Sequence, residues 1–159
     1  MTNNDILRRI RYTFDLKDSA MSEIFSSAEF NVTEEQVATW LKKEEDDNFL
    51  ELADRELAAF LNGFINLKRG KRDGPQPKPE ERLNNNIVFR KLRIALNLKA
   101  EDIIEILQLV DFRLSKPELS AFFRKPDNKN YRKCKDQILR NFLMGVQSKF
   151  RSSGKKSES

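Results

Sequence analysis

Histidine is the commonest general base and metal ligand, and this chain of 159 residues contains none. Two clusters remain that could carry such chemistry. Cys134 stands among Arg132, Lys133 and Lys135, whose charges would favour a thiolate. It lacks a base partner of the Cys–His kind, and its counterpart in the repeat described below is Leu52, so it reads as a packing residue. Glu44, Glu45, Asp46 and Asp47 offer oxygen ligands to a hard cation, without the alternating ligands and central glycine of a calcium loop. That stretch reads as a solvated acidic loop. The five glycines are scattered, which leaves no phosphate-cradling loop. The expectation is a protein that is not an enzyme and uses no metal or cofactor.

Lysine and arginine are the residues present in number. The chain carries 30 of them against 25 acidic residues, a net charge of +5, and their distribution is uneven. Residues 1–67 hold 7 basic and 14 acidic side chains, whereas 83–147 hold 13 and 7. The segment 68–82 holds 6 and 3, and 148–159 hold 4 and 1. A basic half invites a polyanion. The candidate phosphate contacts are Arg90, Lys91, Arg93, Lys116, Arg124, Lys125, Lys129 and Arg132, assisted by Lys68, Arg69, Lys71 and Arg72. Tyr131 either stacks on an unpaired base or tucks into the core like Phe49 at the related position. These residues predict a nucleic-acid-binding or regulatory protein with DNA or RNA as partner. The same asymmetry also suits a protein–protein interaction module, or a homodimer held by opposite charges, without nucleic acid.

The elements that must position these residues come in two copies. NNDILRRIR from Asn3 returns as NNIVFRKLR from Asn85, a shift of 82 residues. The same shift carries Glu23-Ile24 onto Glu105-Ile106, Asp54 onto Asp136, and Leu57, Phe60, Leu61 and Gly63 onto Leu139, Phe142, Leu143 and Gly145. Repetition of this kind fixes the architecture. Apolar residues at helical spacing predict helices over 4–14 and 19–28, a third with Val37, Trp40 and Leu41 inward, and a fourth from 54 in the first copy. In the second they predict 86–96, 101–110, 115–125 and 136–150. Asn3 and Asn4 read as N-caps, Asp18 caps the second helix, and Thr33–Gln36 and Ser115–Glu118 read as capping boxes. Gly63 and Gly145, inside the fourth helices, imply a neighbouring helix too close for a Cβ.

Nothing reads as a strand. The predicted fold is all-α: two pseudo-symmetric four-helix repeats over 1–67 and 84–150, joined by a basic Pro-rich linker at 68–83. A polar tail at 151–159 reads as disordered. The fourth helices, apolar over a wide arc, are expected where the units meet. In each repeat the second and third helices have helix-turn-helix-like spacing. The first offers Phe30, Val32, Thr33, Val37 and Trp40, and the second Phe112, Leu114, Ser115, Leu119 and Phe122. The turn residue is Asn31 or Arg113, of which asparagine accepts left-handed geometry readily.

No apolar run approaches the roughly 20 residues of a membrane span. The N-terminus lacks a secretory core, and one cysteine suits a reducing compartment. The expected location is the cytoplasm, with no membrane partner. The runs WLKKEEDDNF, FLNGFINLKRGK, LNNNIVFRKLRIALNLK and FFRKPDNKNYRKCKDQILRNFL together resemble the bacterial YehS-like family, which carries a tandem domain of unknown function numbered 1456. The likeness spans about 3–150 and departs at Asn128, where His is usual, and at Ala53, where Cys is common. The resemblance implies a small cytoplasmic bacterial protein and brings no catalytic residue.

Overall fold

The computed structural model describes residues 1–151 in full and the backbone of 152–158. Among the described residues eight helices follow one another: α1 (Asn3–Thr13), α2 (Asp18–Ser27), α3 (Glu34–Leu41), α4 (Asp54–Arg69), α5 (Asn85–Ala95), α6 (Ala100–Gln108), α7 (Lys116–Phe122) and α8 (Asp136–Glu158). Among the described residues there is no strand, and the fold is all-α with two repeats. The expectation for a tail at 151–159 lies, beyond Arg151, outside the residues described in full.

The helix starts follow local chemistry. The Thr33 hydroxyl accepts from Gln36 N–H while the Gln36 side chain accepts from Thr33 N–H, and Ser115 and Glu118 repeat the exchange. α1 is capped by Thr2 with Asp5, ahead of the expected Asn3 and Asn4, and α5 is capped by Asn84. Lys17, which makes no side-chain cap bond, precedes α2, and Asp18 lies in its first turn. The turns from α2 to α3 and from α6 to α7 place Glu29 (φ 61°) and Asp111 (φ 56°) in the left-handed region. The expected turn residues, Asn31 and Arg113, do not take that conformation; the chain reverses two residues earlier, right at the helix end.

Four helices form the centre and run the same way. The Asn3 amide donates to Asp54 at the starts of α1 and α4, and Phe14 meets Phe64 at their ends, ring centroids 5.2 Å apart. Asn85 joins Asp136 at the starts of α5 and α8 in the same manner. Across the repeats, α1 lies along α8 through Met1–Asp136 and Arg9–Gln147, and α4 lies along α5 through Asp54–Leu83 and Asn62–Lys91. The fourth helix of each unit therefore packs on the first helix of the other. The expected central place of α4 and α8 is shared equally by α1 and α5.

The α2/α3 and α6/α7 pairs flank this centre. α2 crosses α4 where Gly63 faces the carbonyl of Ile24, and α6 crosses α8 where Gly145 faces Ile106. One continuous apolar core, from Ile6 to Val146, runs through both repeats. The linker is fastened to the body, with Glu81 3.6 Å from Arg55 and Leu83 N–H on Asp54.

Asp136 enters α8 with its carboxyl held below the usual range, first by the Asn85 amide and then by the Met1 ammonium. A carboxylate depressed in the folded state contributes stability above its unfolded pKa. That contribution is lost as the pH falls below about 4.

Candidate functional site

The second-repeat loop between α7 and α8 is set by one buried asparagine. The Asn86 amide donates to Phe122 O (3.1 Å) and Arg132 O (2.8 Å), and its oxygen accepts from Cys134 N–H (2.9 Å). Capture of the Phe122 carbonyl ends α7, three residues short of the expected 125. Asn4 does the same in the first repeat with Trp40 O, Leu50 O and Leu52 N–H, each at 2.9 Å. These asparagines are staples between a helix start and a distant loop, and the sequence disguised them as caps.

Within the staple the two loops are bonded alike. Asn128 N–H donates to Lys125 O, Tyr131 N–H to Asn128 O, and Asn130 N–H to the Asn128 side chain. Asp46, Phe49 and Asn48 repeat all three bonds in the first loop. What differs is the surface. Both loops open on a basic pair, Lys42-Lys43 and Arg124-Lys125; the first then exposes Glu44, Glu45, Asp46 and Asp47, whereas the second exposes a single carboxylate, Asp127, with Lys129 and Arg132. Among the described residues, none of Arg124, Lys125, Lys129 and Arg132 makes an ion pair. Tyr131 is half-buried, like Phe49.

The remaining expected contacts are scattered. Lys91 is a correction: it is 9% exposed, with its ammonium 2.6 Å from Asn62 Oδ1 and 3.0 Å from Glu80. α5 turns that position toward α4, so Lys91 is a buried tie between repeats and cannot meet a phosphate. Arg93 lays its guanidinium 4.7 Å from the Phe123 ring centroid and donates to Leu98 O, which commits it to packing. Lys116 is exposed but bound to Glu101 at 2.6 Å, and that bond holds the Glu101 carboxyl below its usual range. Arg90 is exposed.

Lys68 sits 4.5 Å over the Phe14 ring, and Lys68, Arg69, Lys71 and Arg72 leave the far end of α4. The 16 residues of α4 span about 24 Å, so these cations lie a helix length from the α8 start that the loop feeds. Four of the twelve expected residues share the loop after α7, Lys91 is buried, and 68–72 lie at the far end of α4.

Another grouping was not legible in the sequence. Arg8, Arg9 and Tyr12 of α1 meet Arg140 and Gln147 of α8 along a cleft of about 470 Å³. Arg151 stacks on Tyr12, 3.8 Å from its centroid. About 130 residues of chain separate the two walls, and the Arg9–Gln147 bond spans 138. The only sequence signal was the duplicated arginines of the first helices.

Cys134 is buried, and burial, with Asp136 adding to it, pushes its thiol up to about 12. The cationic neighbours point outward and do not activate it. The unfolded thiol ionises near 8.5, so this site's contribution is complete below that pH and declines as pH rises from there toward 12. Iodoacetamide at pH 8 is expected to leave the native protein unmodified over hours and to alkylate it promptly in denaturant. Fast native alkylation would contradict this burial.

The family model described as "Protein of unknown function (DUF1456)" matches twice, at residues 3–70 and 85–152, one match to each repeat. The chain is also similar to a protein of Escherichia coli (strain K12) called "Uncharacterized protein YehS". The two are 47% identical over 147 residues, covering 92% of this chain and 94% of that protein. No solved structure matches. Among the described residues no helix is long and apolar enough to cross a membrane.

Proposed function

We propose that this chain, which belongs to the DUF1456 family, is a non-enzymatic nucleic-acid-binding protein that makes contact through the loop of its second repeat. One observation carries the reading. Two loops with the same internal bonds present opposite charges, and the cations of the second are exposed and unpaired. Among the described residues no carboxylate stands within 4 Å of the Arg124, Lys125, Lys129 or Arg132 charge, although Arg132 lies near enough to Glu118 to help lower its carboxyl, so these cations can turn to phosphates. Contacts of this kind position a nucleic acid and carry no sequence readout.

Three or four phosphate contacts imply that log K falls by about 3 per decade of salt on duplex DNA, and somewhat less on single strands. Fluorescence anisotropy with a labelled duplex, a single strand and a structured RNA, at 50 and 200 mM salt, tests this. The expected result is duplex binding that weakens by about 60-fold between the two. Absence of binding to all three at the lower salt would overturn the proposal.

The acidic loop supports a second reading, in which residues 44–47 of one copy dock on residues 124–132 of another. Sedimentation at both salt concentrations separates the two: this reading requires a dimer at low salt that dissociates at high salt.

A further inference from the structure

The repeat relates the α4/α5 seam to the α1/α8 seam, and the chain itself fills only the first. There, Gln76 accepts from the Asn66 amide at 2.9 Å, Glu80 sits on Lys91 at 3.0 Å, Glu81 reaches Arg55 at 3.6 Å, and Leu83 N–H bonds Asp54 at 2.9 Å. Residues 76–83 thus run as an extended strap past Asn66, Asn62 and Arg55, opposite in direction to α4. Their carboxylates neutralise the cations of the seam, and the strap helps bury Lys91.

A shift of 82 converts that site into the open one. Lys91 corresponds to Arg9, Asp54 to Asp136, Asn62 to Met144 and Ala58 to Arg140. The Met1 ammonium stands on Asp136 at 3.8 Å, as Leu83 N–H stands on Asp54. No described residue lies where the strap would lie. The cleft remains, with Tyr12 in its lining 46% exposed.

We propose that the α1/α8 cleft docks an extended acidic segment of a partner protein, laid against α8 as residues 76–83 are laid against α4. The charge is complementary to such a segment. Arg8, Arg9, Arg140 and the Met1 ammonium outnumber the two carboxylates near them: Asp5, already held by Arg8 at 3.1 Å and Thr2 N–H at 3.0 Å, and Asp136, which takes the Met1 ammonium at 3.8 Å and is also drawn to Arg140. Arg9 spends one N–H on Gln147 and has donors left for a carboxylate in the place of Glu80. Arg140, where the filled seam has Ala58, adds a site for a second carboxylate, and guanidinium groups bind carboxylates in bidentate fashion. Tyr12 and the Met1 side chain supply apolar surface in the cleft for the segment's non-charged residues. The filled seam identifies a peptide as the occupant, because it already holds one in the related geometry. This cleft is separate from the loop proposed for nucleic acid, and either assignment can fail alone.

Labelled peptides with the sequence of residues 75–83, unchanged and with Lys78→Glu and Arg82→Glu, provide the probe. Fluorescence anisotropy on the full chain is expected to show saturable binding, tighter for the acid-enriched peptide. Arg140→Glu or Arg9→Glu should weaken it at least tenfold, Arg140→Lys should largely retain it, and Arg124→Glu with Lys125→Glu should leave it unchanged. Arg140 is exposed, so its variant is expected to melt like the parent, which keeps the test independent of folding. Absence of saturable binding, or equal binding by the Arg140→Glu variant, would overturn the proposal. So would displacement of the peptide from the cleft by a single-stranded oligonucleotide with the same dependence on Arg9 and Arg140. A dimer abolished by Arg140→Glu would assign the cleft to a second copy's strap, and would also overturn it.

Discussion

Gly63→Ala is expected to cost this protein about 3 kcal/mol or more of stability, although alanine is the better helix former by about 1 kcal/mol. A Cβ at position 63 would lie 1.9 Å from the Ile24 carbonyl oxygen and 2.7 Å from its carbon. Both are backbone atoms, so no rotamer change relieves the overlap. α2 must retreat from α4 by more than 1 Å, which loosens the packing of Phe25 on Phe60, now 5.3 Å between centroids. Gly145→Ala meets the Ile106 oxygen at 2.4 Å and should cost less. A chain of this size loses about 2–4 °C in Tm per kcal/mol, so thermal melts should fall by about 6–12 °C for the first variant. Neutral or stabilised melts would mean that the helices do not cross this closely.

Asn86→Ala is expected to cost a similar amount by a different route. The substitution removes three hydrogen bonds and strands the carbonyls of Phe122 and Arg132 and the N–H of Cys134. A buried polar group left unpaired costs about 1–3 kcal/mol, so a loss of about 3 kcal/mol follows even if water repairs part of it. The damage should be local first. Amide exchange should accelerate across 123–135 well before the central helices, and nucleic-acid affinity should drop because the loop cations lose their fixed spacing. Asn86→Asp keeps the acceptor for Cys134 N–H but sets a carboxylate against two carbonyls, so it should not rescue. Uniform acceleration of exchange over the whole chain would show that the staple holds the fold and not the loop.

These two variants also mark what could be read from residues alone. A pair of glycines one repeat apart pointed to close helix crossings, and the crossings are there. The helices themselves were legible because Ile6, Leu7 and Ile10, and their counterparts, keep a 3.6-residue period that only one local structure satisfies. The asparagine pairs misled, because a helix-start asparagine has the same local signature whether it caps its own helix or reaches 46 residues onward. Lys91 misled for a related reason: its exposure depends on α4 and Glu80, which no pattern around position 91 encodes. The α1/α8 cleft was invisible because its walls come from opposite ends of the chain. Local chemistry could be read directly, whereas pairings across the pseudo-twofold required the assembled fold.

The central claim is that the repeats share a scaffold and that function lies in the charges by which their loops differ. Oligonucleotide affinity at low and high salt, measured side by side for the parent, for Arg124→Glu with Lys125→Glu and Lys129→Glu, and for Glu44→Lys with Glu45→Lys and Asp47→Lys, tests it most directly. The account predicts that the first variant loses binding and its salt dependence, while the second gains a further binding equivalent on the first loop. Parent-like affinity and salt slope in the first variant, with melts unchanged, would contradict it.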